Sequence, residues 1–82
     1  MKNKMQFQEW MNSDKPFIYL NDQNVLKILN YKKILQYTPK EISFLLNKKI
    51  LNVKGEKLNI EYFDEDEICV YGYIVSITYQ GG

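Results

Sequence analysis

Eighty-two residues, 45% hydrophobic and 26% charged with a formal net charge of +1, make one small domain and leave too little chain for a second. With no His and a single Cys, Cys69, the common zinc sets, the Ser-His and Cys-His nucleophile pairs and an internal disulfide are excluded. All 11 basic residues are Lys, so the planar bidentate clamps on phosphate or carboxylate that need a guanidinium are missing as well.

The chain opens with a polar extension, residues 1–15, in which Met5, Phe7, Trp10 and Met11 fall on one stripe of a short helix; we expect this extension to be helical or flexible. No apolar run follows the lysines of Met1-Lys2-Asn3-Lys4, and no stretch reaches the roughly 18 to 20 apolar residues of a spanning helix, so neither export by a visible signal nor membrane insertion is expected. An unpaired thiol agrees with a reducing compartment, and the cytoplasm is the expected location. The domain proper is expected over residues 16–80, with 81–82 as a flexible tail.

After Pro16, turn-like clusters recur every 7 to 10 residues: Asn21-Asp22-Gln23-Asn24, Asn30-Tyr31-Lys32-Lys33, Thr38-Pro39-Lys40, Asn47-Lys48, Lys54-Gly55-Glu56-Lys57 and Asp64-Glu65-Asp66. The short runs between them are rich in Ile, Leu, Val, Tyr and Phe, the pattern of an antiparallel meander. Residues 24–50 also fit a second pattern. Val25, Ile28, Leu29, Lys32 and Leu35 fall on one helical face, and Thr38-Pro39-Lys40-Glu41 combines a capping Thr, a Pro at the first helical position and a Glu three after the cap. The same four residues make an equally good type I turn, and the chain has no Ala, so local rules leave strands and helices both open here.

From Ile50 onward the pattern is strand. Leu51 and Val53 alternate before Gly55, and Leu58, Ile60 and Tyr62 after it, which predicts a hairpin closed by Lys54–Lys57. Residues 68–79 are apolar or aromatic on both parities, as in a strand covered on both sides or bent midway, with Gly72 the expected bend or bulge. Cys69, inside this run, is expected in the core.

Charge is uneven along the chain. Residues 1–57 carry all 11 Lys and 5 acids, net +6, while residues 58–82 carry 5 acids and no Lys, net −5. This polarity predicts either ordinary solvated faces or complementary patches that join copies or dock a partner. The run Asp64-Glu65-Asp66-Glu67 lacks the spacing and central Gly of a calcium loop and reads as a solvated turn, so no metal site, cofactor or catalytic residue is assigned. Seven Tyr among 11 Lys raise single-stranded nucleic-acid binding by stacking, although a nearly neutral domain argues against nucleic acid as the partner. The terminal Gly81-Gly82 suits a β-grasp diglycine carrier, which needs a central helix with Thr38 to Asn47 its best candidate. A meander also leaves two sheet edges, guarded by lysines such as Lys48, Lys49, Lys54 and Lys57 or open to a partner or a second copy.

The order of elements from Asn30 to Tyr79 resembles the YabP/YqfC family of sporulation proteins. The resemblance rests on Asn30-Tyr31-Lys32-Lys33-Ile34-Leu35-Gln36-Tyr37, a short turn into Glu41-Ile42, the strand Ile50-Leu51-Asn52-Val53-Lys54-Gly55, Leu58-Asn59-Ile60, an acidic turn, and Glu67 to Ile77; Lys15 to Leu20 resembles the family's opening strand. Lys33 and Lys48-Lys49 stand where the family often has Gly. The resemblance implies strands rather than helices over residues 24–50. It also implies a non-enzymatic morphogenetic protein of the mother cell, associated with the forespore and acting on spore envelope, cortex or coat assembly beside a membrane protein.

The expectation is therefore an all-β single domain, an antiparallel meander of about six to eight short strands, sandwich-like or a partly open barrel. Tyr31, Lys32, Lys33, Tyr37, Tyr71 and Tyr73 are the candidate partner contacts, with a protein partner or self-association expected.

Overall fold

The computed structural model describes residues 15–81. Six strands, β1 (Phe17–Asn21), β2 (Val25–Leu29), β3 (Lys33–Tyr37), β4 (Glu41–Leu45), β5 (Ile50–Phe63) and β6 (Glu67–Gln80), form one open antiparallel sheet in the order β1-β2-β6-β5-β4-β3, with no helix among the described residues. The all-β antiparallel fold and its strand count are as expected, with β6 inserted between β2 and β5 where a simple meander would keep sequence order; the N-terminal helical stripe lies outside the described residues.

Residues 24–50 are strands for a tertiary reason. Thr38 behaves as a helix cap would, its Oγ1 accepting the Glu41 and Lys40 amides at 2.9 and 3.2 Å, but the chain leaves this turn extended because Ile42, Ser43 and Phe44 pair with Val53, Asn52 and Leu51. The helical face proposed for Val25 to Leu35 is broken in the same way: Leu26 and Ile28 are fully buried, and Leu35 is exposed. The central helix that a β-grasp carrier needs is thus β4.

The hairpin expected at Lys54–Lys57 is corrected. Residues 50–63 are one 14-residue strand paired with a 14-residue β6, and the Lys-Gly-Glu-Lys segment bends it without reversing it. Register shifts at Lys54/Gly55, Glu56/Asn59 and Ile60/Tyr62 insert extra residues, which bend and coil the ribbon. Lys57 sits at φ 54° and Gly72 at φ 144°, a conformation that side chains rarely adopt. A Cβ on Gly55 would lie 2.0 Å from the Tyr73 carbonyl oxygen, and one on Gly72 would lie 2.7 Å from that of Lys57, so the two strands cross here only because both residues are Gly. The buried Leu58 side chain covers both glycines.

The bend brings the two wings of the sheet face to face. β2 pairs with residues 67–71 of β6 and β4 with residues 50–54 of β5, and their inner residues meet in one core: Leu26, Ile28, Ile68 and Val70 from one wing, Ile42, Phe44, Leu51 and Val53 from the other. The turns at Asp22–Asn24 and Thr38–Lys40 close the bent end, since Gly72 and Ile74 amides donate to Asn24 and Gln23 carbonyls, and Gly55 and Leu58 amides to Lys40 and Pro39 carbonyls. At the opposite end Asn30–Lys32 crosses between wings, with Asn30 N–H on the Asp66 carbonyl and Lys32 N–H on that of Leu45. The sandwich-like expectation holds in this sense, with β1 and β3 left as edges. Lys48 and Lys49 lie between β4 and β5 and Lys54 pairs on both sides within the sheet, so these three guard no edge strand, whereas Lys57 lies on the stretch of β5 beyond its pairing with β4 and Lys33 on the edge strand β3.

Candidate functional site

The two outward faces differ in chemistry. On the β3-β4-β5 wing, register aligns Gln36, Ser43, Asn52 and Thr78 across four strands, and Asn52 Nδ2 donates to Ser43 Oγ at 2.8 Å and Glu41 Oε2 at 2.7 Å. Asn52, Ser43 and Glu41 thus bond one another in the middle of the row, while Gln36 and Thr78 lie exposed at its ends.

The face of the β1-β2-β6 wing is aromatic. Alternation sends Leu26, Ile28 and Val70 inward and their neighbours outward, so Tyr19, Lys27, Cys69 and Tyr62 form one row across β1, β2, β6 and β5, and Asn21, Val25, Tyr71 and Asn59 form the next. Tyr73 follows Tyr71 on the same side. Tyr71 and Tyr73 are 51% and 53% exposed, and Tyr19 and Tyr62 are exposed as well. Tyrosine offers a large rigid apolar surface with a polar tip, which suits a protein interface.

A small polar cluster holds the middle of this face. The Tyr62 hydroxyl donates to Glu67 Oε2 at 3.1 Å, and its interaction with Lys27, reinforced by Glu67, raises the Lys27 pKa. Tyr62 is raised mainly by desolvation and by its bond to Glu67. Between them Cys69 is 5% exposed, and desolvation pushes its thiol up, away from the reactive thiolate. The expected burial of Cys69 is met, on the outward side under its neighbours.

The six candidate contacts separate. Tyr71 and Tyr73 stand together on the aromatic face. Lys32 and Lys33 are exposed at the start of β3, lining an open groove with Asp64 and Glu65. Tyr37 lies half-exposed on the other wing, where its hydroxyl accepts the Ile60 amide at 3.0 Å. Tyr31 is 9% exposed: its ring meets Phe44 edge-on at 6.3 Å, and its hydroxyl donates to the Asp64 carbonyl at 2.8 Å. Tyr31 thus holds the wing crossing together. Tyr19 and Tyr62 were missed, although the alternation Phe17, Tyr19, Asn21 carried a signal for the first.

Part of the charge polarity of the sequence is folded together: Lys27 neighbours Glu67, and Lys32 and Lys33 share a groove with Asp64 and Glu65. The acidic turn is built by its backbone: Asp64 Oδ1 accepts the Asp66 and Glu67 amides at 2.9 and 2.8 Å, which lowers the Asp64 pKa. No helix among the described residues is long and apolar enough to cross a membrane.

No curated protein matches the chain. The YabP family model matches residues 12–82, which takes in all six strands and both outward faces. The chain belongs to the YabP family.

Proposed function

We propose that this protein is a non-enzymatic interaction factor of sporulation, working in the mother cell on spore envelope, cortex or coat assembly, with the tyrosine face of the β1-β2-β6 wing as its contact surface. Membership of the YabP family carries the sporulation part of this reading. The exposed Tyr71 and Tyr73, beside a second wing whose central Asn52, Ser43 and Glu41 bond one another, carry the choice of surface. The partner is a protein, a membrane protein of the sporulating cell, docked against the aromatic face.

A fluorescent fusion at the native locus tests both parts. Signal restricted to sporulating cells and gathered around the forespore is expected, and the double variant Tyr71→Ala/Tyr73→Ala should fold normally yet disperse. Constant diffuse signal through growth would sink the sporulation reading. Unchanged localisation of a folded double variant would move the contact surface elsewhere.

A further inference from the structure

Along one flank the inner faces of the two wings stay open. β2 pairs only with residues 67–71 of β6, and the turn between β1 and β2 holds the Gly72 and Ile74 amides, so residues 76–80 of β6 pair with β5 on one side and with no strand on the other among the described residues. Tyr79 stands opposite the fully buried Leu51 and so faces inward, yet it is 56% exposed. Ile77, opposite Val53, and Ile18 of β1, opposite Ile28, also face inward and are only partly buried against the core. The flank between β3 and residues 59–63 of β5 is bridged instead, by the Tyr37 hydroxyl on the Ile60 amide and by the Tyr31 hydroxyl on the Asp64 carbonyl. On the open flank lie two adjoining cavities of about 320 and 490 Å³. Lys15 to Ile18 line the first, and Lys15, Pro16, Leu46, Lys48, Lys49 and Tyr79 border the second, so the start of β1 and the end of β6 share one opening.

We infer that this opening is the seat of the chain's own residues 1–14, with Trp10 and Met11 inserted between β1 and the end of β6. The place where the chain enters favours this occupant. Lys15 lines both cavities and only Asn12-Ser13-Asp14 separate it from Met11, so Trp10 lies at most about 18 Å away along an extended chain, roughly the length of a five-residue strand. So short a tether holds these side chains beside the opening at an effective concentration on the order of millimolar, ahead of a free partner. Charge agrees with the placement. Glu9 and Asp14 flank Trp10 and Met11, with no Lys among residues 5–14, while Lys48 and Lys49 stand at the rim and the Lys49 ammonium lies 5.4 Å from the Tyr79 ring centre. The large apolar side chains of Phe7, Trp10 and Met11 match the inward, half-covered Ile18, Ile77 and Tyr79, and burying them enlarges the core of a chain too small to build a thick one. The inference concerns the inner flank and does not rest on the reading of the tyrosine face.

Trp10 is the only Trp in the chain, so the intrinsic fluorescence of the full-length protein reads this seat directly. The folded protein should emit to the blue of the urea-unfolded chain, and acrylamide should quench it several-fold less, to the same extent at every protein concentration. A second measurement locates the seat. In the full chain, Trp10→Ala should shift the NMR amide resonances of Ile18, Lys49, Ile77 and Tyr79 and leave those of Tyr71 and Tyr73 in place. A folded protein whose Trp10 is quenched as freely as in urea would overturn the inference. So would amide shifts gathered at Tyr71 and Tyr73 or on another surface, and so would protection that grows with protein concentration, which would make a second copy the source of the bound segment.

Discussion

Replacing Gly55 by Ala tests the strand crossing on which the fold depends. In an ordinary extended segment this change stabilises by about 0.4–1 kcal/mol through the unfolded chain. Here the new Cβ would sit 2.0 Å from the Tyr73 carbonyl oxygen and 3.0 Å from its carbon, against a carbon–oxygen contact of roughly 3.3 Å. Relief requires β5 and β6 to part by more than about 1 Å, which stretches neighbouring ladder bonds of about 2.9 Å past the limit of a useful hydrogen bond. Overpacking of this kind costs about 3 kcal/mol, and each ladder bond lost adds about 1 kcal/mol. A domain of this length has about 4 to 12 kcal/mol in total, so the variant should lose a third or more of its stability. In urea, with a slope of about 1 kcal/mol per molar, the unfolding midpoint should fall by about 4 M. A shift below about 0.5 M would refute the reasoning, since it would mean that the strands do not pass at the distance described.

Three further substitutions probe the crossing, the acidic turn and the polar face. Burial, and secondarily the charges of Asp64 and Asp66, raise the Tyr31 pKa, so its contribution is intact below the ordinary value of 10.0 and is lost as pH rises through the folded value; Tyr31→Phe should cost about 1 kcal/mol at pH 7 and flatten part of the alkaline loss in a pH-resolved denaturation series. The Asp64 pKa is lowered, so its contribution is present above the ordinary 3.8 and disappears as pH falls through the folded value; Asp64→Ala should lower the thermal unfolding temperature near neutrality and change it little at pH 2. Asn52→Asp sets a carboxylate against Glu41, where the amide now donates at 2.7 Å, and should destabilise by about 2 kcal/mol at pH 7 with partial recovery near pH 4. A pH-independent loss would show that repulsion is not the cause.

The turns were legible because their chemistry is local. Asp64 as the acceptor of a tight turn and Asp22 at φ 53° are residue types whose short polar side chains favour such backbone. Lys54-Gly55-Glu56-Lys57 was misread because a reversal and a bulged bend use the same residues, and only the Tyr73 carbonyl, brought close by the β5–β6 pairing, decides between them. Tyr71 and Tyr73 stood out by sharing a parity in an otherwise apolar strand. Tyr31 looked exposed beside two lysines, yet it packs against Phe44, 13 residues on, and bonds to Asp64, 33 residues on. The row from Tyr19 to Tyr62 exists only through pairings between distant segments, which no local rule reports.

The position of β6 bears on how this protein is made. β6, made after the other five strands, lies between β2 and β5, and β2 pairs with nothing on that side until residues 67–71 arrive, about 40 residues after it. On the ribosome only the short hairpins β1-β2 and β3-β4 and the β4-β5 ladder are available, and the first two are marginal when isolated. The core closes only once β6 is available, in a step dominated by non-local contacts and therefore slow. During that interval Leu26, Ile28, Phe44 and Leu51 are uncovered, so yield in the cell should respond to chaperone supply and to synthesis temperature more steeply than the stability of the finished fold does.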